Sequence, residues 1–403
     1  MLARLDAAGI PLEGAWNLAQ LTEAACWLNP ELTLLRARVE TVASGMVTAG
    51  ERPNPVLWLR PAYNSSLRGA SPWIIEPWVD ITIETGGKRD VRIAEATARL
   101  RTVVLEREAA VWRIRGEIRR ALIAIASTTA ITSVATAQAS NLTVIQQRVQ
   151  DRVAVGAIPD QDASTARIGV EQARLAVLDA DLQAVRARAL LAAAIGIPVA
   201  ALEGVPLNLS DALRMPEAPP PAELRRKALS RRVDILAALA DYAANEERLR
   251  LEVTRQYPDL RLGPGYKLDQ SIQRWMLGIG FELPILNQRR GPIAEAEGRR
   301  AEASARFHSV QARAIAEIDL AHESFRAARS RADSAGRIRD ELRTLASATE
   351  SMLAAGEVSE LEVLQRRAEQ FVAELSAQQA LLQAAAAAST LEDALQTPMP
   401  LWK

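Results

Sequence analysis

From Arg89 to Val153 the chain carries no proline and one glycine, Gly116. From Ile293 to Ala355 it again carries no proline, and Gly298 and Gly336 are the only glycines. Both stretches are built from Ala, Arg, Glu, Leu and Ile, which favour helix, Ile at a modest cost. A helix of about 60 residues is about 90 Å long at 1.5 Å per residue. The usual helix has about 11 to 12 residues. No compact globule encloses such a rod, so each must lie against other long helices. Ala121 to Ser140, rich in Ala, Ser and Thr, lets helix backbones approach closely.

Each predicted rod ends in a tight reversal. The first is Val155-Gly156-Ala157-Ile158-Pro159-Asp160, with Gly156 as C-cap and Pro159 as the first residue of the next helix. The second is Ala355-Gly356-Glu357-Val358-Ser359-Glu360, where Ser359 and Glu362 have capping-box spacing. The hairpin tips therefore fall at Gly156 and Gly356. The reversals match each other at an offset of 200 residues, as do Ile93-Ala94-Glu95-Ala96 and Ile293-Ala294-Glu295-Ala296. PVLWLRPAY at 55–63 matches PDLRLGPGY at 258–266 in five positions, at an offset of 203. Three anchors in one order predict a tandem duplication with units of roughly half the chain, not a short-period solenoid.

Each unit has the same order of elements: a leading helix (Leu32 to Ala49; Ala222 to Arg255), two short strands and a helical hairpin. An N-terminal segment, 1–16, precedes the first repeat, 17–202, with strands at about 55–63 and 74–84 and a hairpin at 88–196. A linker at 203–222 holds Pro206, Pro216, Pro219, Pro220 and Pro221. The second repeat, 223–395, has strands at about 258–266 and 274–284, a hairpin at 292–395, and a tail at 396–403. The return helices run from Asp160 to about Ala194 and from Ser359 to about Leu395. In Val79 to Glu84 apolar residues alternate, as in a half-buried strand. Pro61 and Pro264 argue for strand ends or bends. The class is mainly α with a small β part.

Eight aromatics, half of those in the chain, lie in the strand regions: Trp58, Tyr63, Trp73, Trp78, Tyr257, Tyr266, Trp275 and Phe281. Aromatics on short alternating strands fit the interfaces of a lipid-spanning barrel; they also fit the core of a small soluble sheet. Four short strands cannot close a barrel, and in lipid every backbone polar group must be paired. Three copies would pool twelve strands, continued by a helical tube.

Equal numbers of Lys+Arg and Asp+Glu, 49 each, leave no basic surplus for nucleic acid. A single cysteine, Cys26, excludes an intrachain disulfide and a cysteine zinc cluster. Two histidines, His308 and His322, leave little for a metalloenzyme or triad. Asp319 stands at helical spacing from His322, a pairing better read as a solvated or inter-helix contact than as metal ligands. Gly86-Gly87-Lys88-Arg89 lacks the spacing of a phosphate loop and its Ser/Thr after Lys, and reads as a strand-to-helix turn. Gly263-Pro264-Gly265 reads as a bend. We expect no catalysis, no cofactor and no bound metal. No run of 18 apolar residues appears, and the nearest candidate, Ala189 to Leu202, holds Gly196 and Pro198, so no membrane-spanning helix is expected. The start, MLARLDAAGIPLEG, lacks the basic head and apolar run of a signal peptide.

Tyr257 to Phe307 resembles the TolC-like outer-membrane efflux channels, and within them the CzcC-like branch that serves heavy-metal efflux pumps. Glu84-Thr85-Gly86-Gly87-Lys88-Arg89 is similar to that branch's turn into the first long helix. Asn29-Pro30-Glu31 is similar to the family's opening segment. The resemblance covers about Trp16 to Leu395. It implies a homotrimer with a twelve-stranded β-barrel in outer-membrane lipid and an α-helical tunnel in the periplasm. It implies as partners a periplasmic adaptor protein and an RND-type inner-membrane pump. It implies a passive duct for export, with heavy-metal cations among the substrates. Family members carry a signal sequence and often a lipid-modified cysteine after it; Cys26, inside a helical segment, is a poor match for that cysteine.

The family's gate lies near the helical reversals, where acidic residues ring the pore. Six positions after Gly356 and Gly156 stand Glu362 and Asp162, the gate candidates; nine after Gly356 stands Gln365, where some relatives carry a second acid. A ring of Glu362 would favour cations. Equally, Glu362 and Asp162 read as ordinary acids at helix N-termini. The reading from another class is a soluble coiled-coil adaptor or scaffold, but such adaptors normally have one hairpin per chain.

Overall fold

The computed structural model describes residues 14–66, 71–210, 212–213, 226 and 228–397. Two helices lead, α1 (Leu18–Leu28) and α2 (Pro30–Gly50). The strands β1 (Val56–Tyr63) and β2 (Trp73–Ile83) follow, then α3 (Lys88–Ala154) and α4 (Asp160–Ile195). The same order returns as α5 (Val233–Thr254), β3 (Leu260–Asp269), β4 (Ile272–Phe281), α6 (Arg290–Ala354) and α7 (Glu360–Leu395). The rods α3 and α6 have 67 and 65 residues, or about 100 Å each at 1.5 Å per residue. The segments 1–13, 214–225 and 398–403 lie outside the described residues, and with them about half of the expected linker and most of the N-terminal segment and the tail.

The charge-free run Ala121 to Gln147 lies in α3, and this helix holds an 18-residue window of mean hydropathy 1.4. The expectation that no helix is apolar enough to span a membrane therefore fails on composition. Ala, Ser and Thr keep the run from being continuous hydrocarbon, yet nothing in it is charged. Of that window 39% is buried within the chain.

The chain packs as two compact units. One comprises Met1–Leu34, Arg107–Arg232 and Ala312–Lys403. Its core cluster joins Ile318 and Phe325 of α6 to Ala388, Leu391 and Leu395 of α7. Alanines recur on the buried side of α7, at Ala373, Ala377, Ala380 and Ala384. Gly116 in α3 is the closest approach: a Cβ there would overlap the Asp393 carboxylate, which Arg120 holds. Next to it Arg115 and Arg119 both face Glu392, which is 2% exposed. Asn29 joins two helices. Its Oδ1 accepts from the backbone N–H of Glu31 at 2.9 Å, opening α2, while its Nδ2 donates to the Ala194 carbonyl at 2.9 Å, closing α4.

The other unit comprises Leu35–Glu106 and Val233–Gln311 and contains the sheet. The strands run antiparallel in the order β1-β2-β3-β4. Contrary to expectation, Pro61 and Pro264 lie within strands rather than at ends. Pro61 is tolerated because β1 is an edge strand. Pro264 lies in interior β3, and the β2–β3 pairing skips from Trp78↔Gly265 to Ile81↔Leu262 around it, as a residue without an N–H dictates.

Candidate functional site

Side chains alternate across a strand, and direct cross-strand partners share a face. The register therefore sorts the sheet into two faces. Leu57, Leu59, Tyr63, Ile75, Ile81, Leu262, Leu277, Ile279 and Phe281 fall on one face. Every residue on it is apolar or aromatic except Gln273. The opposite face carries Arg60, Glu76, Asp80, Arg261, Lys267, Asp269 and Arg274, with glycines between them. There Trp58 and Trp78 stack with centroids 5.7 Å apart, and the Arg60 guanidinium sits 4.3 Å from the Trp78 ring.

The apolar face is uncovered. Leu57 is 70% exposed and Trp275 84%. Leaving such side chains in water forfeits roughly 2 kcal/mol each, and a patch of this extent marks a contact with an apolar medium or a partner. At the end holding the β1–β2 and β3–β4 connections, Tyr63 meets Trp73 and Tyr266 meets Trp275, both edge to face at 5.2 Å. Aromatic pairs on the apolar face, at the end that holds the connections, suit a hydrocarbon–water boundary. Among the described residues, the outer edges of β1 and β4 have no strand partner. In an apolar medium open edges are untenable.

The junction from β2 to α3 is tied to the start of β3. The Thr85 N–H donates to Asp259 Oδ1 at 3.1 Å, and Thr85 Oγ1 to the Pro258 carbonyl at 2.6 Å. Gly86 and Gly87 take positive φ, 67° and 70°, which makes Gly86-Gly87-Lys88-Arg89 the expected strand-to-helix turn. Nearby, Glu252 receives Arg255 and Arg289, each at 2.6 Å. Burial works to raise its pKa, but the Arg289 hydrogen bond and the two guanidinium charges outweigh burial and hold it below the ordinary value. Arg92 is raised, chiefly by its hydrogen bonds to Glu84.

The hairpin tips are alike in detail. Gly156 and Gly356 adopt φ of 72° and 78°. The N–H after each reaches back five residues, Ala157 to the Arg152 carbonyl and Glu357 to that of Met352, each at 2.9 Å, a Schellman closure. Pro159 is not the first helical residue: it is the N-cap of α4, and Asp160 begins the helix. Ser359 caps α7 by accepting from the Glu362 N–H. Asp162 and Glu362 stand exposed in the first turns of α4 and α7. The neighbouring Glu360 is engaged by Arg148 of α3 at 3.0 Å. Deeper, buried Asn141 of α3 donates to the Leu364 carbonyl at 2.9 Å. Sequence reasoning missed Arg148 and Asn141, because their partners lie more than 200 residues away.

Cys26 lies within α1, half-buried. The His322 ring faces Glu323 at 3.3 Å.

The profile of the family described as outer membrane efflux protein matches residues 17–197 and again 224–397. The cobalt-zinc-cadmium resistance protein CzcC of Cupriavidus metallidurans is 30% identical over 299 residues, covering 72% of this chain and 67% of that protein. Among solved structures, the outer membrane protein VceC of Vibrio cholerae superposes with a TM-score of 0.74 at 18% identity, over 95% of this chain and 97% of that one. CusC, described in its channel-forming states, gives 0.75 at 16%, over 94% and 92%. The open MtrE outer membrane channel of Neisseria gonorrhoeae gives 0.74 at 16%, over 94% and 89%.

Proposed function

The chain belongs to the outer membrane efflux protein family, and from that premise we propose that three copies pool their sheets into one twelve-stranded barrel above a shared helical tunnel. The family consists of passive efflux channels of the outer membrane, and this chain is one of them, not an enzyme. The observation that carries the trimer is the sheet: one face apolar and uncovered, the other charged, and both edges open. Closed into a barrel, the apolar face meets lipid and the charged face lines a wet lumen. The soluble scaffold gives no account of that uncovered face.

The chain's organisation follows as two repeats, 17–202 and 223–395, each lending one strand pair and one hairpin. The partners proposed for the tunnel end are a periplasmic adaptor and an RND-type pump, with the barrel in the outer membrane. Heavy-metal cations are the proposed cargo, supported by the similarity to CzcC. The lumen face of the sheet mixes both signs, with Arg60, Arg261, Lys267 and Arg274 beside Glu76, Asp80 and Asp269. Any preference for cations therefore belongs to the hairpin acids Glu362 and Asp162, or to the pump.

Detergent-purified protein should give the mass of three chains in native mass spectrometry and conduct ions in planar bilayers. A monomer without conductance overturns the trimeric duct. Deletion of the gene should sensitise cells to cobalt, zinc or cadmium; sensitivity to organic drugs alone overturns the metal cargo.

A further inference from the structure

The duplication makes the joint between β2 and β3 a template for the joint between chains. β1 and β3 are equivalent strands, with Tyr266 203 residues after Tyr63; β2 and β4 are equivalent, with Trp275 202 residues after Trp73. In both hairpins that Tyr and that Trp are direct cross-strand partners and meet edge to face at the same 5.2 Å. Within the chain, the second strand of the first repeat pairs with the first strand of the second. The equivalent joint sets β4 against β1, the two open edges.

Carrying the β2–β3 register across these offsets fixes the new pairing. Ile81↔Leu262 becomes Leu283 opposite Leu59. Ile83↔Leu260 becomes Ile285 opposite Leu57. Trp78↔Gly265 becomes Gly280 opposite Ala62. β2 extends to Ile83, whose equivalent is Ile285, yet β4 stops at Phe281. Two causes are visible. Phe281 pairs with Leu260, where β3 begins, so no described strand offers a ladder beyond it. Pro284, which has no N–H to donate, sits in a turn where the Ile285 N–H donates to the Leu283 carbonyl at 2.8 Å, a turn that must open for the strand to continue. Those residues are exposed and apolar, Leu283 at 62% and Ile285 at 72%. Their counterparts Leu59 and Leu57 are exposed at 62% and 70%. Leu283 and Ile285 also keep the parity of Ile279 and Phe281, so a continued strand adds them to the apolar face.

We propose that residues 282–285 are a dormant extension of β4, which becomes strand when a second copy of this chain docks its β1, with Leu283 opposite Leu59 and Ile285 opposite Leu57. The proposal rests on the reading that several copies share one barrel, and it adds the register of their contact. A slip of one residue would turn the joining side chains to the charged face.

The test is disulfide trapping in a Cys26→Ser background. Directly opposed residues lie about 4.5–5.5 Å apart at Cα, within disulfide reach; partners displaced by two are about 7–8 Å apart, beyond it. Leu59→Cys with Leu283→Cys should yield covalent multimers on mild oxidation, as should Leu57→Cys with Ile285→Cys. Leu59→Cys with Phe281→Cys should not. Native mass spectrometry of the same samples reports assembly. An intact multimer in which neither matched pair crosslinks, or the displaced pair crosslinks better, overturns the register alone. Monomers throughout, single-cysteine variants included, overturn the shared barrel and the register with it.

Discussion

Lys88 Nζ lies 2.5 Å from Asp259 Oδ1 and 2.6 Å from the Tyr257 carbonyl, so the first residue of α3 is fastened to the approach to β3. One repeat thus holds the other at the point where helix becomes sheet. The Lys88 side chain is 8% exposed and that of Asp259 35%.

Removing the carboxylate strands a buried ammonium. Breaking a fully buried pair costs about 3–5 kcal/mol; with one partner a third exposed, Asp259→Ala should cost about 2 kcal/mol. Thermal unfolding in detergent should show a lowered midpoint. Lys88→Met with Asp259→Leu should recover part of the loss, since no buried charge then remains. A midpoint unmoved by Asp259→Ala would remove this contact from the account of the junction.

Asn29→Ala deletes the cap of α2 and leaves the Ala194 carbonyl without its side-chain donor. Loss of an N-cap costs about 1 kcal/mol, and the second bond raises the expected loss to about 2 kcal/mol. Asn29→Asp keeps the acceptor toward α2 and loses only the donor, so it should fall between wild type and Ala. Equal midpoints for Asp and Ala would show that the cap contributes nothing.

Gly116→Ala sets helix propensity against packing. In a solvated helix Ala gains about 1 kcal/mol over Gly. Here the added methyl enters the space of the Asp393 carboxylate, which Arg120 fixes in place. The substitution should therefore destabilise. Pairing it with Asp393→Ala should restore the propensity gain, and a Gly116→Ala single variant more stable than wild type would contradict the close approach.

These cases show what a sequence states openly and what it withholds. The hairpin ends were legible because their signals are local: Gly156 and Gly356 need positive φ, and Ser359 sits three residues before Glu362. Strand parity in Val79 to Glu84 was legible for the same reason. The contacts of Gly116 with Asp393 and of Lys88 with Asp259 were not, since each joins residues more than 150 positions apart. Pro264 misled because a rule about one strand says nothing of how its neighbours step around a missing N–H. β4 fell short of its expected end near residue 284 because β3 begins at Leu260, the partner of Phe281, and Pro284 cannot donate to a ladder.

Glu252 should leave a signature in acid. Its pKa is depressed in the folded chain from an ordinary 4.5. A depressed carboxylate contributes stability that is fully present above the ordinary value and is lost as pH falls through the folded value. Glu252→Gln should be less stable than wild type at neutral pH, and the gap should narrow as pH falls below the ordinary 4.5 and close once pH has passed through the depressed folded value. Unfolding midpoints across that range measure the gap directly; a gap independent of pH would show that the Arg255 and Arg289 contacts are not electrostatic.

At the tips, Glu362 and Asp162 occupy matching first turns, but their surroundings differ. Glu362 follows a Ser359 cap and neighbours a Glu360 that Arg148 engages; Asp162 follows Pro159, which makes no side-chain cap. Carboxylates that ring a pore focus negative potential and draw cations. Carboxylates that only answer a helix dipole are worth about 0.3–1 kcal/mol and leave conductance alone. The two roles therefore separate in one pair of measurements. Glu362→Gln should lower cation preference in single-channel recordings while the unfolding midpoint moves little, and Asp162→Asn should act in the same direction. Arg148→Ala, which releases Glu360 to the same mouth, should raise cation preference, and its loss of stability should stay within about 1 kcal/mol, as for an exposed pair. If Glu362→Gln shifts the midpoint and leaves selectivity untouched, the acid serves the helix and the gate lies elsewhere.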